Sequence, residues 1–207
     1  MRHTPGCREY LDSPVDDAVI YRVLDNARFA PSGGNRQGWR VVVVRNPETK
    51  RVMRDLYLEP WNQYVLEHYG TPETMSDDRR KHVDAANQMA NTMHEVPVFL
   101  SVWVDMSVLA VTDADAGRPS VVAGGSIFPF VQNLQLAARA EGLGTRITTL
   151  LSYSEPEVRR LLGAPDDYAL AATILLGWPK RLPKNLNRKP VEWFAARERF
   201  GGDPLTA

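Results

Sequence analysis

Residues 30–39 read APSGGNRQGW, from Ala30 to Trp39. Pro31 and the glycines Gly33, Gly34 and Gly38 are enough to end a helix and turn the chain into a strand. They leave Ser32, Asn35 and Gln37 unaccounted for. A primary amide offers a donor and an acceptor on one group. Two of them on one short loop suit a planar heterocycle whose edge alternates C=O and N–H, and glycine lets backbone approach a flat ligand closely.

The flanks of this loop have clear periods. Upstream, Val19, Val23, Ala27 and Ala30 recur at helical spacing, which predicts a helix from Pro14 to about Ala30 with Ser13 as its cap. Downstream, Trp39 to Val44 (WRVVVV) reads as a buried strand closed by Asn46-Pro47. Residues 48–69 and 76–95 are helical in pattern, broken at Gly70-Thr71-Pro72. VFLSVWV (98–104) and YALAATILL (168–176) are two further strands, and 145–149 is a shorter one. Residues 112–119 read as a loop. VVAGGSIFPFVQNLQLAARA (121–140) is apolar nearly all round, as a helix buried on every side would be. Pro129 should kink it or mark its first turn, and Gly142 should end it. Ser154-Glu155-Pro156-Glu157 has the form of a capping box. With no internal repeat and no polar linker, the expectation is one α+β domain over 1–207, with a basic, Pro-rich arm from about 180.

Composition limits the function. The 207 residues carry 25 Lys plus Arg against 25 Asp plus Glu, a net charge of zero. That argues against a nucleic-acid footprint or a basic membrane-binding surface. Cys7 is the single cysteine, so no intrachain disulfide is available. No run approaches the roughly 18 apolar residues of a membrane span, and MRHTPGCREY lacks the apolar core of a signal peptide. A cytoplasmic protein is expected. His3, His68, His82 and His94 show no ligand spacing, and no zinc site is expected. A nucleophile elbow, a P-loop and a dinucleotide fingerprint are all absent; Gly142-Leu143-Gly144 follows a helix and precedes a strand, the wrong order for phosphate cradling. Arg8 beside Cys7 is a neighbour of the kind that lowers a thiol pKa, but no base accompanies the pair.

Several motifs then fall in order. Arg8-x-Tyr10 precedes Pro14-Val15. Ala30-Pro31-Ser32-x-x-Asn35-x-Gln37-x-Trp39 is the most specific of them. Ala137-Ala138 precedes Gly142-Leu143-Gly144-Thr145, and Arg188-Lys189-Pro190 lies near the end. Together they resemble the nitroreductase family of flavin enzymes over residues 6 to 190. The resemblance implies an α+β fold with a central antiparallel or mixed sheet flanked by helices. It implies an intertwined homodimer with FMN held at the interface, NADH or NADPH as hydride donor, and a small-molecule acceptor such as a nitroaromatic or a quinone.

Carried across residue by residue, the resemblance puts Arg8 at the pyrimidine edge of the flavin. Ser32, Gly33, Asn35 and Gln37 would hold the ring edge and side chain. Thr148, Thr149 and Leu150 would lie against the ring, with a backbone N–H near Thr149 facing the hydride-accepting nitrogen. Arg188 would bind the phosphate, with Lys184 or Lys189 in support. No protein acid or base is required. One departure stands out: Thr4-Pro5-Gly6 occupies the place where the family carries a basic residue and a serine for the phosphate. Ring cleavage of the flavin, reductive dehalogenation, and a flavin-binding or dimerising scaffold without activity remain open as alternatives. The sequence does not say whether Tyr57, Trp61, Phe128 or Phe130 lines a pocket or belongs to core or dimer contacts, nor which nicotinamide is preferred.

Overall fold

A computed structural model describes residues 1, 3–183 and 186–207. Its centre is a four-stranded antiparallel sheet made by β2 (Trp39–Val44), β3 (Val98–Asp105), β4 (Gly144–Thr148) and β5 (Tyr168–Gly177), in the spatial order β2-β3-β5-β4. The unbroken apolar run of β3 has a simple cause: both faces of the sheet are covered. Val98, Leu100, Val102 and Val104 point one way, into a cluster with Ile20, Val23, Val131 and Leu134. Phe99 and Trp103 point the other way, against Met53, Tyr57, Met89 and Leu175. The strand's period of two thus feeds two cores at once.

The first cluster is closed by α1 (Asp17–Ala27) and α4 (Phe128–Ala140), which pack on each other. The second is closed by α2 (Pro47–Tyr69), α3 (Asp77–Thr92) and α5 (Glu155–Leu162). Asn46 does more than end β2. Its side-chain carbonyl accepts from the Glu48 and Thr49 amides at 2.9 and 3.0 Å, with Pro47 in the first turn, so it starts α2. Tyr57, Trp61 and Phe130 are core residues, 2%, 8% and 2% exposed.

Four local expectations need correction. Helix α1 begins at Asp17, after the expected Pro14, and Asp16, not Ser13, stands at its N-cap. The apolar segment 121–140 is helical only from Phe128; turns carry the chain through Gly124-Gly125, and Pro129 sits in the first turn. That helix is not buried on every side. Phe130, Val131, Leu134 and Ala138 are buried, but Phe128 is 43% exposed and Leu136 and Ala137 are only partly covered. The capping box at Ser154 does not form, because the Ser154 hydroxyl donates instead to the Leu56 carbonyl on α2 at 3.0 Å. Glu155 is likewise drawn off, accepting the Leu170 amide of β5 at 2.9 Å and pairing with Arg159.

The outer edge of β4 is closed by the N-terminal segment. The Cys7 amide donates to the Thr145 carbonyl at 2.8 Å, and Gly6 bridges to Thr145 in parallel. Two residues on, β1 (Glu9–Tyr10) pairs with β6 (Pro179–Arg181) in a small second sheet. Cys7 is fully buried, and burial pushes its thiol up rather than down, so the expected activating effect of Arg8 is overturned by desolvation. After β6 the arm carries one short helix, α6 (Val191–Phe194), with Trp193 and Phe194 exposed. Among the described residues, no helix is long and apolar enough to cross a membrane, and no group of three or more His, Cys, Asp or Glu could hold a metal ion.

Gly144 is where this edge is tightest. A Cβ there would lie 2.7 Å from Cys7 Sγ, 2.8 Å from Cys7 Cβ and 3.2 Å from Pro179 Cβ. The Gly144→Ala variant should lose about 1–3 kcal/mol of stability in urea denaturation, with faster hydrogen exchange at the Cys7 amide. An unchanged midpoint together with unchanged exchange would contradict the docking described.

Candidate functional site

Where the N-terminal segment lies along β4 it leaves a cavity of about 540 Å³, walled by Pro5 and Gly6, by Arg8 and Arg146, and by Arg181 and Asn187 of the C-terminal stretch. This volume is in the range of small-molecule sites. Three guanidinium groups line it, against one carboxylate, that of Glu9. Arg146 stands opposite Leu175 in the β4–β5 register, two residues before Thr148, which stands opposite Thr173. Arg146 and Thr148 therefore share the face that carries Tyr57. Burial holds the Arg146 guanidinium below the usual arginine range; Arg8 acts in the same direction, and Tyr57 and Tyr10 oppose it. Burial raises both tyrosine hydroxyls above their ordinary value, Tyr10 the more strongly. This cation thus sits in partly desolvated, aromatic surroundings beside a second cation, Arg8, with Glu9 the one carboxylate in the cavity wall.

Beyond β4 the chain makes a tight 3-10 turn. Thr148 and Leu150 are partly covered and Thr149 is exposed. The Thr148 hydroxyl accepts the Leu150 amide at 3.3 Å, and the Thr149 carbonyl accepts the Ser152 amide at 3.0 Å. Arg188 follows Asn187 but is not itself part of the cavity wall; it is exposed and donates to the Asn187 carbonyl at 2.8 Å. Lys189 rests over the Trp193 ring. Lys184 falls outside the described residues.

The loop 30–39 is held in an unusual shape. Gly34, Asn35 and Gln37 have φ of 60°, 53° and 50°. Asparagine tolerates this left-handed region, but a glutamine there costs about 1 kcal/mol or more. Several bonds fix it. The Ser32 hydroxyl accepts the Gln37 amide at 3.1 Å, and the Ser126 hydroxyl accepts the Gly33 amide at 3.0 Å. The Arg36 guanidinium donates to the Val108 carbonyl at 3.0 Å. The Gln37 side chain donates to the Asn35 side-chain carbonyl at 3.2 Å, and both amides are exposed. Below them Trp39 stacks on Phe130 at 4.8 Å. The turn could have been made by glycines alone; the structure spends strain and side-chain bonds to present two amides.

One chain does not bring the two halves together. Arg8, Thr148, Thr149 and Leu150 lie at or just after the β4 edge, and Arg188 follows Asn187 of the cavity wall. Ser32, Gly33, Asn35 and Gln37 precede β2, the opposite edge strand. Trp39 pairs with Val104, whereas Thr145 pairs with Leu176 and Leu176 with Val98. Ordinary sheet spacings, four of them counting the docked N-terminal segment, then separate the loop from Arg8 by about 19 Å across the strands and about 20 Å along them. Two residues escaped the sequence reading. Arg146 was legible only as a lone charge in a strand of hydroxyl and apolar residues (GTRITT), and nothing local marked Ser126 as the anchor of Gly33.

This geometry can be set beside known proteins. The chain is 29% identical over 189 residues to an NADH dehydrogenase of Thermus thermophilus, covering 89% of this chain and 87% of that one. It is 25% identical over 214 residues to a nitrobenzene nitroreductase of Ectopseudomonas oleovorans, covering 89% and 88%. Its fold matches a crystal structure of an iodotyrosine deiodinase bound to FMN and 3-iodo-L-tyrosine with a TM-score of 0.72, over 95% of both chains at 20% identity. The model of the nitroreductase family matches residues 2–178, from the docked N-terminal segment through β5. The chain belongs to the nitroreductase family.

Proposed function

We propose that the protein is an FMN-dependent oxidoreductase that works as a homodimer, each flavin held between two chains. The observation that carries this reading is the cation-lined cavity at the β4 edge, which lies beside Thr148–Leu150 in a chain of this family. The residues fit the cofactor. A phosphate suits a partly dry cavity with three guanidinium groups, and exposed amides on a rigid loop suit the edge of the ring. When bound, FMN would take a hydride from NADH or NADPH and pass it to a small acceptor, a nitroaromatic or a quinone, in a ping-pong cycle.

The chain's own residues supply placement and electrostatics. Arg8 puts a fixed cation at the pyrimidine edge, where reduction builds negative charge. Thr148, Thr149 and Leu150 form a short wall against the ring. Arg188 holds the phosphate from the arm. Ser32, Gly33, Asn35 and Gln37 reach the ring from a second copy, because their own chain carries them to the far corner of the sheet. The surface supports that assembly: Tyr21 on α1 and Phe29 just after it are each 72% exposed, and Phe128 at the start of α4 is exposed too. Exposed aromatics of this kind are what a homodimer interface covers. Reductive removal of halide is a second reading, favoured by the fold likeness to the deiodinase; halide release from an iodinated or brominated phenol tests it.

Purified protein should be yellow, or become so with added FMN, and should bleach under anaerobic conditions with NADH or NADPH. A colourless protein that takes up no flavin contradicts the reading. The Ser32→Ala variant removes the acceptor of the Gln37 amide. It should speed hydrogen exchange at Gln37 and weaken FMN binding about tenfold, at the level of one lost hydrogen bond, with the melting temperature nearly unchanged. Unaltered exchange and affinity would show that the loop shape does not depend on Ser32.

A further inference from the structure

Among the described residues, eight arginines pair with Asp or Glu: Arg22, Arg28, Arg45, Arg51, Arg54, Arg118, Arg159 and Arg160. Arg146 is partly buried and makes no such pair. Among the described residues no carboxylate lies within salt-bridge distance of it, and the remaining residues, Arg2, Lys184 and Asn185, carry none. Arg8, a like charge, acts on it together with Tyr57, Tyr10 and Cys7, and the cavity it lines holds a third guanidinium, Arg181, against one carboxylate, Glu9. An excess of guanidinium groups around one partly desolvated cavity favours binding of an anion there. The docking of Cys7 on Thr145 enforces the arrangement, since it brings Arg8 alongside the strand that bears Arg146.

The cavity tells which anion. Arg146 shares it with Pro5 and Gly6, and with Asn187, the neighbour of Arg188. Thr149 and Leu150, the proposed ring wall, do not line it. Pro5 and Gly6 offer no side-chain cation, so the N-terminal wall is neutral where a charge is wanted. We propose that Arg146, reaching from β4, holds the phosphate of the flavin nucleotide in place of a basic residue on the N-terminal segment. This rests on the flavin reading above and adds to it the residue that selects a phosphorylated flavin. The planar fork of arginine suits bidentate contact with a phosphate, and the dry aromatic surroundings strengthen that contact.

The test compares FMN with riboflavin, which has the same ring and side chain without the phosphate. Affinities of the full chain are read by quenching of flavin fluorescence, for the wild type, Arg146→Gln and Arg146→Lys, with melting temperatures measured alongside. Wild type should favour FMN strongly. Arg146→Gln should lose about tenfold to a hundredfold in FMN affinity, with riboflavin affinity changed by less than about twofold, and Arg146→Lys should recover part of the loss. Equal losses for both flavins would place Arg146 at the ring or in the fold and overturn the proposal, as would no loss for either. A wild type that binds both flavins equally overturns this assignment while leaving the flavin reading intact. A wild type that binds neither overturns the flavin reading itself.

Discussion

The rest of the site depends on one contact, the docking of residues 6–7 along the free edge of β4. The bond from the Cys7 amide to the Thr145 carbonyl extends the hydrogen-bonding of the sheet by one partial strand, which protects an edge that would otherwise invite pairing with another chain. It also sets Arg8 beside Arg146, and through β1 and β6 it brings the start of the C-terminal arm to the same place. Gly144 makes this possible by presenting no side chain to Cys7. The cavity is therefore a product of three distant stretches of sequence, joined by a few backbone bonds and one missing methyl group.

A second constraint acts at the opposite corner. The loop before β2 is held in a left-handed shape that Gln37 resists, and it is secured by Ser32, Ser126 and the pairing of Gly38 with Asp105. Such strain persists only when surrounding contacts over-determine it, and it is concentrated at sites with a use for the shape. The sheet holds this loop far from Arg8. A four-stranded sheet thus divides the proposed flavin contacts into two groups that only a second copy can reunite. The exposed aromatics Tyr21, Phe29 and Phe128, and Trp193 and Phe194 of the arm, are surfaces available for that reunion.

Much of this was legible because the strongest signals are local and periodic. WRVVVV, VFLSVWV and YALAATILL became strands β2, β3 and β5 within one residue at each end; β3 and β5 are the covered strands that demand apolar runs, whereas β2, expected to be buried, lies at the sheet edge and buries only Val44. Gly142, with φ of 86°, ends α4 as its position suggested. The misses are tertiary. Ser154 had a better partner in Leu56 than in its own helix, a competition that no local pattern reveals. The start of α4 was misplaced because apolar character continues through Val121–Ile127 while Gly124-Gly125 breaks the helix. Arg146 was passed over because its meaning lies in what surrounds it, a like charge and no counter-ion, and those neighbours come from other parts of the chain.

The central claim is that Arg8 of one chain and Asn35 of another serve the same flavin. Hybrid dimers test it most directly. Differently tagged Arg8→Ala and Asn35→Ala chains are mixed by refolding, and the dimer carrying both tags is isolated for FMN titration. If the site is shared, one of its two sites carries both defects and the other carries none. The hybrid should then bind one FMN per dimer at wild-type affinity, although each parent dimer binds weakly at both sites. A hybrid that binds FMN no better than its parents would contradict the account, because it would mean that both residues serve the flavin of their own chain or none at all.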